Sequence, residues 1–190
     1  MKALRPLVGS ITAPLIRALA SSPITPNQLT IIGAGLNGLV AVVIARGDGR
    51  LAGVAVLLAS AFDILDGALA RATGRTTRFG AFLDSSLDRV ADGVLLLGAA
   101  GRGLRFGSGR TALLAFAAFI ASVLVSYTRA RAESIGVTGE TGLFDRPARI
   151  VVLAAGLMLN RLELALLTVT LGAAVTVVQR ILSVRRQLGD

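Results

Sequence analysis

Six apolar segments of near membrane-spanning length make up most of this 190-residue chain. They cover residues 27–46, 50–72, 79–101, 109–132, 147–160 and 163–184. A helix needs roughly 20 residues to cross the hydrocarbon core of a bilayer, and every segment except 147–160 is close to that length. We therefore expect an all-α integral membrane protein with six transmembrane helices.

The residues before these spans have a different pattern. Residues 2–20 carry spaced apolar side chains together with Lys2, Arg5 and Arg17, which predicts an amphipathic helix lying in the membrane interface. No uninterrupted apolar block followed by a small-residue cleavage site occurs in residues 1–26, so no cleavable signal peptide is expected. The expected organisation is one membrane domain over residues 1–190, with an interfacial helix in 1–24 and a six-helix bundle in 27–186.

The basic residues predict the orientation and the kind of partner. With both termini in the cytoplasm, 13 of the 20 Lys and Arg residues lie on the cytoplasmic side, 6 lie outside and Arg89 lies within a span. The net charge of +9 favours a lipid bilayer and phosphorylated substrates as partners. Nucleic acid is not expected, because only 4% of residues are aromatic and much of the chain is apolar. Frequent Arg and Ala indicate a GC-rich bacterial genome, hence a bacterial plasma membrane.

Five aspartates lie inside the second and third predicted spans: Asp63, Asp66, Asp84, Asp88 and Asp92. Inserting an aspartate at the centre of a membrane helix costs about 2.5–3.5 kcal/mol, so these residues need compensating partners. Spacings of three and four residues place each group on one helix face, and a short turn near residues 73–78 makes the two helices antiparallel neighbours. The chain has no His and no Cys. A cation held here would therefore be an oxygen-preferring ion such as Mg²⁺ or Mn²⁺.

Two other interpretations of the aspartates stay open at this point. The first is a structural network of ion pairs with Arg71, Arg78 and Arg89. The second is a membrane ion carrier without catalytic activity. Asp92 is left without an assigned role, since it could support the other carboxylates or pair with Arg89.

One continuous string within these spans resembles a known signature. Residues 63–88 read DILDGALARATGRTTRFGAFLDSSLD, which is D-x2-D-G-x2-A-R-x8-G-x3-D-x3-D with every fixed position filled. This pattern resembles the signature of the CDP-alcohol phosphatidyltransferase family. The resemblance implies a homodimeric membrane enzyme that displaces CMP from CDP-diacylglycerol by an alcohol hydroxyl.

The same resemblance implies roles for individual residues. Two metal ions would be held by the four signature aspartates, Asp63, Asp66, Asp84 and Asp88. Asp88 would also accept the proton of the attacking hydroxyl. The CDP-linked lipid would contact Asn27, Gln28, Leu29, Thr30, Gly67, Arg71 and Thr77. Small residues such as Gly33, Asn37 and Gly156 are candidates for the dimer face.

The acceptor alcohol is predicted from a second string. Residues 126–152 (SYTRARAESIGVTGETGLFDRPARIVV) resemble members of the family whose acceptor is inositol 1-phosphate. Guanidinium groups suit a phosphate dianion, and five are candidates to bind it: Arg129, Arg131, Arg146, Arg149 and Arg180. The same arginines would also fit a purely topological role at the cytoplasmic surface. A synthase for phosphatidylglycerol phosphate, or another CDP-alcohol phosphatidyltransferase, is the alternative.

Overall fold

The computed structural model describes residues 5–189, with side chains from Ala13 onward, so Lys2 and the side chain of Arg5 lie outside the described part. The described residues are helical with no β-strand. The helices are α1 Arg5–Ala20, α2 Pro26–Arg46, α3 Gly49–Phe62, α4 Ile64–Ala72, α5 Arg78–Arg105, α6 Gly109–Ser134, α7 Arg146–Met158 and α8 Leu162–Leu188.

Side-chain caps fix where most of these helices begin. Thr25 and Gln28 form a reciprocal capping box at the start of α2, in which each side chain accepts from the backbone N–H of the other residue. Thr77 caps α5 by accepting from the Gly80 N–H at 2.9 Å. The corresponding caps of α3, α6 and α7 are Asp48, Ser108 and Asp145.

The six apolar segments are all helical, but the second of them is interrupted. It divides at Asp63 into α3 and α4, a break that the expected continuous helix over 50–72 did not include. Within residues 5–189, four segments are long and apolar enough to cross a membrane: Pro26–Arg46, Gly49–Ala72, Gly109–Ser134 and Leu162–Leu188. Helix α5 carries the charged residues of the site described below, and α7 has only 13 residues.

Close contacts between helix backbones hold the bundle together. Helix α5 packs against α2 and α6, α8 packs against α6, and α3 packs against α7. A Cβ atom at Gly98 of α5 would lie 2.5 Å from the Ala41 carbonyl oxygen of α2, so glycine permits this approach. A Cβ atom at Gly53 of α3 would similarly lie 2.6 Å from the Ala154 carbonyl oxygen of α7. Gly98 and Gly53 therefore permit close contacts between helices of the same copy of the chain.

The residues expected on a dimer face also contact neighbouring helices of the same copy. Gly33 faces the Asp63 carboxylate, Asn37 is buried, and Gly156 faces Ala165 of α8. The prediction that these residues lie on a dimer face is therefore wrong, because neighbouring helices of the same copy cover them.

Helix α1 contacts the bundle through its C-terminal half. Ile16 is buried in a cluster with Leu29 of α2 and with Leu65 and Leu69 of α4, while Arg17 is exposed. This contact places α1 beside α4, at the end of the bundle where α2 begins.

Candidate functional site

Four of the five aspartates meet where α2, α4 and α5 come together. Asp63, Asp66, Asp84 and Asp88 line one small cavity, together with Thr30 of α2. The break between α3 and α4 lies at Asp63, directly beside this cavity. The arrangement concentrates carboxylate oxygens at one point inside the bundle.

Neighbouring groups on α2 and α4 hold two of these carboxylates in place. The Thr30 hydroxyl donates to Asp66 Oδ2 at 2.6 Å, and the Gly67 N–H donates to Asp66 Oδ1. Asp66 is also buried, with 7% of its surface exposed. A Cβ atom at Gly33 would lie 2.6 Å from Asp63 Oδ1, so glycine leaves room for that carboxylate.

Arg146, the first residue of α7, reaches into the acidic cluster. Its Nη2 lies 3.0 Å from Asp63 Oδ2 and its Nη1 lies 2.8 Å from Asp88 Oδ1. Its Nε lies 3.0 Å from Asp92 Oδ1. One guanidinium group thus pairs with three aspartates, each through a different nitrogen.

The ion-pair alternative named Arg71, Arg78 and Arg89, whereas Arg146 and Arg149 are the arginines that pair with the aspartates. Arg71 and Arg78 are exposed, and Arg89 donates to the Ser85 carbonyl within its own helix. The ion pairs with the aspartates come from α7, because Arg146 and Arg149 project from its first turn toward α5.

Asp92 is the functional candidate that sequence reasoning left unassigned. Its Oδ1 pairs with Arg146 and its Oδ2 lies 3.0 Å from Arg149 Nη2. Asp92 and Arg149 are 12% and 6% exposed at their side chains, so this pair is shielded from solvent. The available signal was its position four residues after Asp88, which puts it on the same face of α5.

The donor atoms of the acidic cluster suit a divalent cation, although the side chains do not enclose one. Carboxylate oxygens are the ligands that Mg²⁺ and Mn²⁺ prefer. Within residues 5–189, no group of three or more acidic side chains is arranged to hold a metal ion. Two of the four signature carboxylates, Asp63 and Asp88, are paired with Arg146 instead.

An open groove of about 190 Å³ adjoins the cluster at the ends of α2, α4 and α5. Five residues expected to contact the CDP-linked lipid line it: Asn27, Thr30, Gly67, Arg71 and Thr77. Asp66 and Asp84 form its inner wall and so connect it to the acidic cluster.

The two other residues expected to contact the lipid do not line this groove. Gln28 belongs to the capping box of α2, and Leu29 is buried against α1 and α4. The groove also includes Arg75 and Thr76, in the turn between α4 and α5, which sequence reasoning did not select. They occupy variable positions of the signature, and only their place between its fixed ends could have indicated them.

The five expected acceptor arginines occupy different environments. Arg146 and Arg149 contact the acidic cluster, as described above. Arg129 pairs with Glu133 at 2.8 Å, and Arg131 bonds to Ser134 in its own helix. Arg180 is buried and donates to the backbone carbonyls of Thr141 and Val125. The structure therefore brings two of the five to the aspartates.

Comparison with known proteins agrees with this architecture. Residues 23–182 match the CDP-alcohol phosphatidyltransferase family. The chain is 38% identical to the phosphatidylinositol phosphate synthase of Mycobacteroides abscessus, over 97% of this chain and 88% of that one. It is 36% identical to the archaetidylinositol phosphate synthase of Pyrococcus horikoshii, over 97% and 96% of the two chains.

A solved relative has the same fold. The crystal structure of Mycobacterium tuberculosis phosphatidylinositol phosphate synthase with CDP-DAG bound matches with a TM-score of 0.86 and 29% identity, over 93% of this chain and 94% of that one. The same enzyme in complex with manganese and citrate matches with a TM-score of 0.84 and 29% identity, over 91% and 88%.

These findings, with the acidic cluster in the bundle, define a membrane enzyme of phosphatidyl transfer. The chain belongs to the CDP-alcohol phosphatidyltransferase family. Membership in this enzyme family argues against the ion-carrier alternative.

Proposed function

We propose that this enzyme transfers the phosphatidyl group of CDP-diacylglycerol to inositol 1-phosphate, giving phosphatidylinositol phosphate and CMP. The observation that carries the proposal is the pair Arg146 and Arg149, held by Asp92 beside the acidic cluster. Paired guanidinium groups suit a phosphorylated acceptor, because a phosphate dianion can accept hydrogen bonds from both, whereas a neutral alcohol carries no charge that could replace their aspartates.

The donor nucleotide binds in the groove at the ends of α2, α4 and α5. Its diphosphate lies toward Arg71 and its cytidine lies near Asn27, with the Thr77 hydroxyl nearby. A Cβ atom at Gly67 would lie 3.2 Å from Arg71 Nη1, so glycine leaves room for this guanidinium group beside the diphosphate.

The four signature aspartates, Asp63, Asp66, Asp84 and Asp88, would hold Mg²⁺ or Mn²⁺, with two ions as our proposal. When bound there, the cation would offset the charge of the diphosphate and of the departing CMP. The relative solved with manganese supports this choice of cation. When the acceptor binds, its phosphate replaces Asp63 and Asp88 as the partner of Arg146, while Asp92 remains paired with Arg146 Nε.

Asp88 acts as the proton acceptor of the reaction. The acceptor hydroxyl oxygen forms a bond to the phosphorus that carries diacylglycerol, and the bond from that phosphorus to CMP breaks. The hydroxyl proton passes to the Asp88 carboxylate, which faces the cavity between α2 and α5. Loss of this proton transfer should lower the rate by at least about 10²-fold.

The membrane arrangement is part of the same proposal. All six apolar segments cross the membrane, with α1 in the interface and both termini in the cytoplasm of a bacterial cell. The acidic cluster then faces the cytoplasm, which holds the water-soluble acceptor. The active form is a homodimer, and the interface does not use Gly33, Asn37 or Gly156, which face neighbours within the chain.

The test is an acceptor competition with purified protein, CDP-diacylglycerol and Mg²⁺ or Mn²⁺. Inositol 1-phosphate, glycerol 3-phosphate, serine and free inositol are supplied separately, and the labelled lipid product is identified. We expect product from inositol 1-phosphate alone, with activity lost in chelator and restored by the cation. Equal use of free inositol contradicts the acceptor assignment, and preference for glycerol 3-phosphate assigns the alternative synthase.

The same assay addresses the lipid part of the donor. The relative from Pyrococcus horikoshii is named for an archaetidyl lipid, at an identity close to that of the Mycobacteroides abscessus enzyme. Supplying the CDP-linked ether lipid beside CDP-diacylglycerol decides which donor is preferred. We expect preference for CDP-diacylglycerol.

A further inference from the structure

A second polar cleft lies at the opposite end of the bundle from the acidic cluster. It has a volume of about 500 Å³ and lies between the end of α5, the start of α6 and the start of α8. Arg102 and Asp88 are 14 residues apart on α5, which corresponds to about 21 Å along the helix. We call it the distal cleft and define it by Arg102, Phe106, Arg110, Asn160, Arg161 and Leu164.

Arg102 has unused hydrogen-bonding capacity. Its Nη2 donates to Asn160 Oδ1 at 3.3 Å, and its Nη1 is buried without a hydrogen-bond partner. The guanidinium carbon lies 5.6 Å from the centre of the Phe106 ring. No carboxylate forms an ion pair with Arg102 in the described part of the chain. Because Asn160 is neutral and accepts only this long hydrogen bond, an anion in the cleft that accepts from the guanidinium group of Arg102 would be stabilised.

The one carboxylate of the cleft is already engaged elsewhere. Glu163 accepts from the hydroxyls of Ser108 and Thr111, both at 2.7 Å, and lies 3.7 Å from Arg110. Arg102 and Arg161 therefore leave the cleft with a net positive charge. An anion with several acceptor oxygens fits this environment.

The surroundings of the cleft favour a lipid over a free anion. Phe106 and Leu164 are both 62% exposed, and Leu171 lies on α8 two turns beyond Leu164 and is 57% exposed. Helix α8 is long and apolar enough to cross a membrane, and these leucines continue from the cleft along it. Acyl chains can follow this apolar surface while the phosphate remains at the guanidinium group.

We infer that the distal cleft binds the phosphate head group of an anionic phospholipid, with Arg102 as its main ligand. This site is separate from the groove for the CDP-linked lipid. The inference does not depend on the proposed acceptor, because none of the residues of the distal cleft contacts the acidic cluster.

The test measures lipid binding to the purified full chain with CMP present, so that the nucleotide groove is filled and no second anionic lipid competes for the distal cleft. Short-chain phosphatidylglycerol, short-chain phosphatidylcholine and inorganic phosphate are titrated separately, with thermal stability and native mass spectrometry as readouts. R102Q removes the main ligand, and R161Q tests the opposite side of the cleft if R102Q does not fold. R105Q is the matched control, because it removes the same charge one turn away and outside the cleft.

We expect R102Q to weaken phosphatidylglycerol binding by at least 10-fold on the scale of one charged hydrogen bond, with a smaller loss for R161Q. R105Q should stay within about 2-fold of the unsubstituted protein, and the phosphatidyl transfer rate in detergent should not change for R102Q. Equal losses for R102Q and R105Q would overturn the inference, as would equal affinity for phosphatidylcholine. Inorganic phosphate stabilising the protein as strongly as the lipid would overturn the lipid assignment.

Discussion

The two ends of the bundle contain arginines in opposite situations. Beside the acidic cluster, Arg146 and Arg149 of α7 pair with carboxylates that project from α5. At the other end, Arg102 forms one long hydrogen bond and no ion pair among the residues from 13 to 189. Arginines that are paired with carboxylates can exchange those carboxylates for charged groups of the substrate, whereas an arginine without an ion pair can bind an added anion. We therefore assign the reaction to the end with matched charges, beside the acidic cluster, and lipid binding to the end with Arg102.

The largest expected effect comes from removing carboxylates of the matched end. Asp63→Asn and Asp84→Asn should each lower turnover by at least about 10²-fold, because even changes in groups that support metal ligands reduce activity 10- to 100-fold. Turnover with saturating Mg²⁺ is the measurement. Asp48→Asn is the control, since asparagine caps a helix as well as aspartate and Asp48 lies at the other end. Near-normal activity of Asp63→Asn would remove the basis for a catalytic cation site.

The next effect concerns the pair of arginines held by Asp92. Asp92→Asn should raise the KM for inositol 1-phosphate about 10- to 100-fold, the scale of one charged hydrogen bond, because both guanidinium groups lose their anchor. The KM for CDP-diacylglycerol should change little. Glu133→Gln, which removes an exposed partner of Arg129, is the control and should leave both constants near their original values. A parallel rise in both constants for Asp92→Asn would indicate general disruption instead.

A third prediction tests whether Arg146 competes with the cation. Arg146→Gln should raise the affinity for Mn²⁺ by roughly 10-fold, because Asp63 and Asp88 lose a charged competitor of about 1.5–3 kcal/mol. The same variant should bind inositol 1-phosphate more weakly. Free Mn²⁺ is measured by electron paramagnetic resonance. Arg146→Lys keeps the charge, so its affinity for Mn²⁺ should lie between those of the unsubstituted protein and Arg146→Gln. Weaker Mn²⁺ binding by Arg146→Gln than by the unsubstituted protein would contradict the competition.

The smallest effect concerns the packing that holds the two ends of α5 in place. Gly98→Ala should destabilise the protein by about 1–3 kcal/mol, because its Cβ would lie 2.5 Å from the Ala41 carbonyl oxygen. Gly101→Ala is the matched control on the same helix, since its Cβ would meet only the Ala45 Cβ at 3.5 Å. Thermal unfolding in detergent is the measurement. Equal stability of the two variants would show that α2 and α5 can separate without loss.

Much of the local structure followed from the pattern of residues. The apolar segments predicted helices whose limits agree closely with those observed, because apolar length and capping residues both act over short distances. The fixed spacing of the signature predicted that its aspartates share helix faces. The break at Asp63 was not predicted, since no glycine or proline marks it and the residues just before it are mostly apolar.

The sequence by itself determined the all-helical class of the fold, the enzyme family, the four aspartates that line one cavity, and five of the seven residues expected in the groove. It did not determine which arginines pair with the carboxylates. Arg71 and Arg89 are near the aspartates in sequence, whereas Arg146 is 83 residues from Asp63. Only the tertiary structure could decide this pairing, because the packing of α3 against α7 carries the first turn of α7 to the acidic cluster. Spacing along a chain fixes the face of a helix, but the neighbour of that face depends on how the helices pack.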